Sequence, residues 1–214
     1  TIAQHGPDSV ALYVSGQLLT EDYYVANKLM KGYVGSANID TNSRLCMASA
    51  VAGHKRAFGT DTVPGLYDDF EQADLVILVG SNMAWCHPVL FQRLEAARAA
   101  RGTKLVVIDP RRTPTAETAD LHLPIAAGGD AALFNLLLAE TARRGALDAA
   151  MLARSEGLEE ALAAANATDP ALTGLSPAQL AQLYDLWFAS PRAITAWSMG
   201  INQSASGTDK VNAI

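Results

Sequence analysis

The sequence predicts an α/β fold, a mostly parallel sheet with helices on both faces, from three observations. Apolar runs of about five to seven residues alternate with amphipathic stretches of about ten or more, the pattern of successive β-α units. Thr103-Lys-Leu-Val-Val-Ile-Asp109 is nearly continuous in aliphatic and β-branched residues, as a strand covered on both faces should be. Helix-start signals fall between the runs: Thr20 before Glu21, and Ser176-Pro177, where a serine can cap and a proline fits the first turn.

Strands are expected at 10–14, 75–79, 105–108, 121–125 and 193–197. Helices are expected at 21–31, 45–58, 89–100, 131–143, 158–165 and 177–188. The stretch 147–175 is alanine-rich and lacks a strand, so a helical cover on one edge of the sheet is expected there. No internal repeat is present. The sheet is expected to be Rossmann-like, with loops at its carboxyl edge as the place to look for function.

Composition narrows the function. With 214 residues the chain can bury a sizeable core, and its net charge of −6 argues against a nucleic-acid backbone as the main partner. No apolar run approaches the roughly 18 residues of a membrane span, and the start has neither a basic flank nor an apolar stretch, so a soluble, cytoplasmic protein is expected. Only two cysteines occur, Cys46 and Cys86, too few for a disulfide framework, a zinc finger or a protein-held iron–sulfur cluster. The chain opens on Thr1 and closes on Val211-Asn-Ala-Ile214, and is expected to be a piece of something longer.

Cys46 follows Asn38-Ile-Asp-Thr-Asn-Ser43, a run favouring turns and N-caps, and precedes an apolar helical stretch. Backbone N–H groups at a helix start, with Arg44 two residues away, would favour a thiolate, making Cys46 a nucleophile or soft-metal ligand; the alternative is a buried small residue. Cys86-His87 lies in a loop, where adjacent residues rarely point at one centre, and an ordinary loop thiol is expected. His5, His54 and His122 are isolated.

The run 75–79 ends in Gly80-Ser81-Asn82 and passes through Pro88 into a helix, placing small residues and open N–H groups where a phosphate can dock. It is neither a GxGxxG fingerprint nor a Walker loop. The next strand ends at Asp109, where such sheets hold ribose hydroxyls, and Arg111 and Arg112 could neutralise phosphates. A third leads through Gly128-Gly129 to Asp130, which could cap a helix or bind ligand. Three loops at corresponding sheet ends argue for a nucleotide-containing ligand.

Taken in order, these motifs resemble a known family. Asn38-Ile-Asp-Thr-Asn-Ser-Arg-Leu-Cys-Met-Ala-Ser-Ala50, Gly80-Ser-Asn-Met83 with His87-Pro88, Ile108-Asp-Pro-Arg111, Ala119-Asp120, Gly129-Asp130 and Trp197-Ser-Met-Gly-Ile-Asn-Gln203 are arranged as in the molybdopterin oxidoreductases of the DMSO reductase superfamily. The resemblance runs from about residue 9 onward. More narrowly, Gly16-Gln-Leu-Leu-Thr-Glu-Asp-Tyr-Tyr-Val-Ala-Asn-Lys-Leu-Met-Lys-Gly32 with the Cys46 motif resembles the catalytic subunits of bacterial assimilatory nitrate reductases.

The resemblance implies molybdenum bound as bis(molybdopterin guanine dinucleotide), with Cys46 as the thiolate ligand, which suits a soft, high-valent metal. It places Arg44, Gly80, Ser81, Asn82 and His87 against the cofactor, Asp109 on its ribose or guanine, Arg111 on phosphate, and Gly129 with Asp130 at the guanine. Met199, Gly200, Asn202 and Gln203 would line the cofactor and the substrate approach. Met47 stands where formate dehydrogenases of the superfamily place a histidine useful for C–H cleavage. A thioether cannot take that proton, so oxygen-atom transfer from nitrate, giving nitrite, is the implied reaction.

The resemblance also implies partners. The family carries a four-cysteine [4Fe–4S] motif, for which no cysteine precedes Cys46, and the donor would be ferredoxin, flavodoxin or an NADH-linked subunit. The chain is therefore expected to be a central portion, inactive alone, with residues 1–45 the start of one cofactor-binding domain. Residues 46–214 would form an inserted dinucleotide-binding-like domain with its helical cover near 147–190. An exposed sheet edge could favour self-association. A formate dehydrogenase-like enzyme remains open, as does a hydrolase with Cys46 as nucleophile and His54 or His87 as base. A nicotinamide dehydrogenase would fit the strand pattern but lacks the glycine fingerprint.

Overall fold

The computed structural model describes residues 1–214, which separate into two compact units, Thr1–Ala48 and Ser49–Ile214. In the first unit β1 (Leu12–Val14) pairs in parallel with β2 (Ile39–Thr41), with Leu12 opposite Ile39 and Val14 opposite Thr41. A parallel pair needs a crossover, supplied by the helix Thr20–Asn27 and a wider π-helical stretch, Lys28–Val34. Gly35 ends that stretch at φ 81, a left-handed conformation open to glycine at little cost.

Several expectations are corrected here. Residues 39–41 form a strand, where turn-favouring neighbours had suggested a loop; the β-branched Ile39 and Thr41 supply the ladder. Thr20 is already helical, and the start is capped differently, with the Asp22 carboxylate accepting from the Leu19 N–H at 3.2 Å. The expected helix 45–58 is two, Ser43–Cys46 and Ala48–Phe58, broken at Met47.

The second unit is built on an all-parallel sheet. Its strands are β3 (Leu75–Val79), β4 (Lys104–Ile108), β5 (Leu121–Leu123) and β6 (Ala193–Trp197), in the order β5-β4-β3-β6. The ladder stops at Leu123 because Pro124 has no N–H to donate, two residues short of expectation. All five residues of β3 are buried, and alternate side chains serve opposite faces. Leu75, Ile77 and Val79 pack with Leu133 and Leu137 of the helix Asp130–Arg143 and Leu180 and Leu183 of Pro177–Ala189. Val76 and Leu78 face the other way, toward Leu94 of Pro88–Arg101 and Ala116 of Pro114–Glu117. Each such side chain contributes about 2 kcal/mol of burial, which explains why this run reads as a strand from sequence. The expected α/β fold, a parallel sheet with helices on both faces, is what forms.

The chain moves outward from β3 to β4 to β5, then returns over the opposite face to place β6 on the other side of β3. That return carries the helices Ala149–Leu152, Leu158–Asn166 and Pro177–Ala189; in the last, Ser176 Oγ accepts from the Gln179 N–H at 3.3 Å. The strand order therefore reverses between β3 and β6. After β6 come two short helices, Met199–Asn202 and Gly207–Ala213, absent from the sequence expectation. No helix is long and apolar enough to cross a membrane.

Candidate functional site at the carboxyl edges of the parallel strands

In the first unit the loops after β1 and β2 meet. The Gly16 N–H donates to Asn42 Oδ1 at 2.6 Å, and a Cβ on Gly16 would lie 2.8 Å from both Asn42 Oδ1 and Ser43 Oγ. This closure sets the start of the turn Ser43–Cys46, where the Cys46 N–H donates to the Asn42 carbonyl at 2.9 Å. Cys46 is half-buried at the end of that turn, two residues before Ala48–Phe58 begins. Arg44 is exposed and Met47 is 36% exposed.

In the second unit the expected residues gather at the carboxyl ends of all four strands. Gly80 follows β3 at φ 55 and its N–H donates to the Ile108 carbonyl of β4 at 2.9 Å. Its own carbonyl accepts from the Gly200 N–H at 3.0 Å, while the Ser198 N–H donates to Val79 at 3.2 Å. The two glycine backbones pass so closely that a Cβ on Gly200 would lie 2.6 Å from the Gly80 Cα. This crossing sits at the strand-order reversal, the usual ligand crevice of open α/β sheets.

In the segments that follow the four strands, polar side chains are buried: Ser81, Asp109, Asp130 and Asn202. Asp109 Oδ1 accepts from the Arg111 N–H at 2.8 Å, and its backbone carbonyl meets His122 Nε2 at 2.9 Å, so the β4 loop is pinned while the Arg111 side chain stays exposed. Asp130 is not an N-cap, a role that falls to Gly129; it is the first helical residue, and its Oδ2 lies 3.1 Å from Lys210 Nζ. Buried Gly129 is hemmed in by the Leu172 carbonyl, 2.8 Å from where a Cβ would stand. Met199, Gly200 and Gln203 are exposed beside buried Asn202 in the loop after β6. His87 is exposed at the cap of Pro88–Arg101, and Cys86 beside it is exposed too.

Asp120, part of the motif pattern, belongs elsewhere. It lies at the amino end of the sheet, beside a groove of about 470 Å³ lined also by Lys104, Leu121, Gln182, Asp185 and Leu186. Burial pushes its carboxyl up, but the Leu105 N–H, Lys104 and Arg98 outweigh that and hold it below the usual range. Its work is to tie β4 to β5. Sequence reasoning missed Lys210 and Thr115, the latter wholly buried with Oγ1 2.8 Å from Asn82 Oδ1. Neither carries a local signal, since both matter through partners more than 30 residues away.

The molybdopterin oxidoreductase family model matches residues 1–214, the whole chain. The chain belongs to that family. Members carry a molybdenum–pterin cofactor. Its relatives include nitrate reductases from Shewanella frigidimarina, 55% identical over the full chain, and from Klebsiella oxytoca, 56% identical. An assimilatory nitrate reductase from Haloferax mediterranei is 37% identical over 97% of the chain. The chain spans about a quarter of the length of the first two, 24% and 25%. Acetylene hydratase from Pelobacter acetylenicus shares the fold, with a TM-score of 0.69 at 24% identity, over 99% of this chain and 29% of that one.

Proposed function

We propose that this molybdopterin oxidoreductase chain is the central cofactor-binding portion of an assimilatory-type nitrate reductase, acting in the cytoplasm and converting nitrate to nitrite. The cofactor in this reading is molybdenum held by bis(molybdopterin guanine dinucleotide). The observation that carries it is the glycine crossing at the strand-order reversal, with buried Ser81, Asp109 and Asp130 in the loops after β3, β4 and β5. Buried polar groups are costly unless they are partnered, and a pterin dinucleotide offers partners of each kind they need.

The donor set fits such a group. Gly80 and Gly200 present backbone without side chains, so a pterin or diphosphate can approach closely. Asn82 and the exposed Arg111 supply donors for carbonyl and phosphate oxygens, Arg111 with the fork geometry phosphate prefers. Asp109 and Asp130 supply acceptors for ribose hydroxyls and guanine N–H groups; Asp130 Oδ2, though engaged by Lys210, keeps a second lone pair. His87, Gly129, Asn202 and Gln203 border these positions, with Met199 at the substrate approach. Cys46 Sγ would hold the metal, with Arg44 as a further cofactor contact.

When bound, the reduced molybdenum centre would supply two electrons and take the oxygen atom that nitrate loses on becoming nitrite. The chain's residues bind and orient around that event. Met47 offers no group that exchanges a proton, consistent with a reaction whose protons come from solvent rather than from a C–H bond. Electrons would come through a [4Fe–4S] cluster, whose ligands are not among the two cysteines here, from ferredoxin, flavodoxin or an NADH-linked partner. Nitrite formation from nitrate with a reduced viologen donor tests the reading. Cys46→Ser in the nitrate reductase containing this chain should abolish nitrite formation and deplete molybdenum; activity at the parent rate would remove Cys46 as ligand.

A further inference from the structure

We infer that Thr115 is a positioning residue for the cofactor: it locks the Asn82 side-chain amide so that both Nδ2 hydrogens face the ligand at the glycine crossing. The inference rests on the proposed reading of Asn82 as a cofactor contact. Thr115 lies in the helix Pro114–Glu117 after β4, and Asn82 in the loop after β3, so the contact ties two of the loops that form the site.

The geometry decides which way the amide points. Thr115 is fully buried, 0% exposed. Its Oγ1 accepts from the Ala84 backbone N–H at 3.0 Å, a donor that cannot be anything else. The single hydroxyl proton then needs an acceptor within a dry site, and Asn82 Oδ1 stands at 2.8 Å. Were the amide reversed, that proton would meet an NH2 group, leaving a buried donor unmatched at the cost of its desolvation. So Oδ1 is turned inward and consumed, and Nδ2 is turned outward with two donors for an acceptor such as a pterin carbonyl or a phosphate oxygen. The Ala84 bond does a second job, fixing the first turn of Met83–Cys86 and with it the path of the loop.

The turn that carries Thr115 is itself held in place. Thr113, 4% exposed, accepts from the Ala116 N–H at 3.3 Å and caps the turn that carries Thr115. A cap on a four-residue helix would matter little for stability alone, but it sets the height at which the Thr115 hydroxyl meets Asn82.

The test uses the holoenzyme containing this chain, with cofactor retention read as molybdenum and released guanosine per protein after gel filtration. Thr115→Val, nearly isosteric but without the hydroxyl, should raise the rate of cofactor loss about tenfold. Thr115→Ser, which keeps the hydroxyl, should restore retention to within about twofold of the parent. Asn82→Ala should lose cofactor about as fast as Thr115→Val, and adding Thr115→Val to Asn82→Ala should change nothing further, because the group being positioned is gone. Unequal outcomes separate the two ideas. If Asn82→Ala loses cofactor while Thr115→Val does not, Thr115 has no positioning role and the site reading stands. If Asn82→Ala retains cofactor like the parent, Asn82 is not a contact and the site reading fails at that residue. If the two effects simply add, Thr115 acts on the fold rather than through Asn82, and the inference is overturned.

Discussion

Lys210→Met removes one side of the ion pair between Lys210 and Asp130. The ammonium and carboxylate lie 3.1 Å apart with side chains 9% and 11% exposed, so water does little to screen either charge. Breaking such a pair from one side strands a buried charge at a cost of about 3–5 kcal/mol. Asp130 sits at the first position of the helix Asp130–Arg143, where the helix dipole favours a carboxylate by only about 0.3–1 kcal/mol, too little to compensate. Against a typical domain stability of about 5–15 kcal/mol, the loss is about a fifth or more, and at this size it lowers the melting temperature by about 10 °C. Urea unfolding followed by circular dichroism, with the slope checked for constancy, measures it. Replacing both partners, Asp130→Leu with Lys210→Met, should recover most of the loss, because an apolar pair strands no charge. The reasoning is refuted if Lys210→Met unfolds within about 1 kcal/mol of the parent, or if the double variant is no more stable than Lys210→Met alone.

Other outcomes follow from the same geometry. Gly200→Ala would drive a methyl into the Gly80 backbone at 2.6 Å, so it should destabilise by about 1–3 kcal/mol in urea unfolding and lower molybdenum content. Hydrogen bonds from Arg143, opposed by burial and reinforced by Arg144, hold the Glu140 carboxyl down at about 2 against an ordinary 4.5. Because the folded value is depressed, the stability Glu140 contributes is present above pH 4.5 and fades as pH falls through about 2. Glu140→Gln should therefore flatten the stability profile between those limits, measured by thermal melts across pH. Cys86→Ser should leave molybdenum content unchanged, since that thiol is exposed at the end of the short helix Met83–Cys86.

The residues differ in how much of this they disclose. β3 and β4 are legible because a strand buried on both faces must be apolar at nearly every position, and Leu75–Val79 and Leu105–Ile108 are. β2 hides because three residues flanked by asparagine and serine look like a turn until Leu12–Val14 is there to pair with them. The break at Met47 and the helix Gly207–Ala213 leave no periodic mark. Strand order is not a local property either, so the reversal between β3 and β6, which locates the site, came only from the structure. Of the site, Gly80, Asp109 and Asp130 could be read from their places after apolar runs. Thr115 and Lys210 could not, since their meaning lies in Asn82 and Asp130 across the fold.

The most direct measurement is the molybdenum and guanosine content of the purified enzyme containing this chain, beside that of its Asp109→Ala variant. The account predicts molybdenum with guanosine at twice its amount in the parent, and both depleted when Asp109, a buried acceptor at the carboxyl edge, is removed. Molybdenum without guanosine, or an Asp109→Ala enzyme as fully loaded as the parent, would contradict a dinucleotide seated on this sheet.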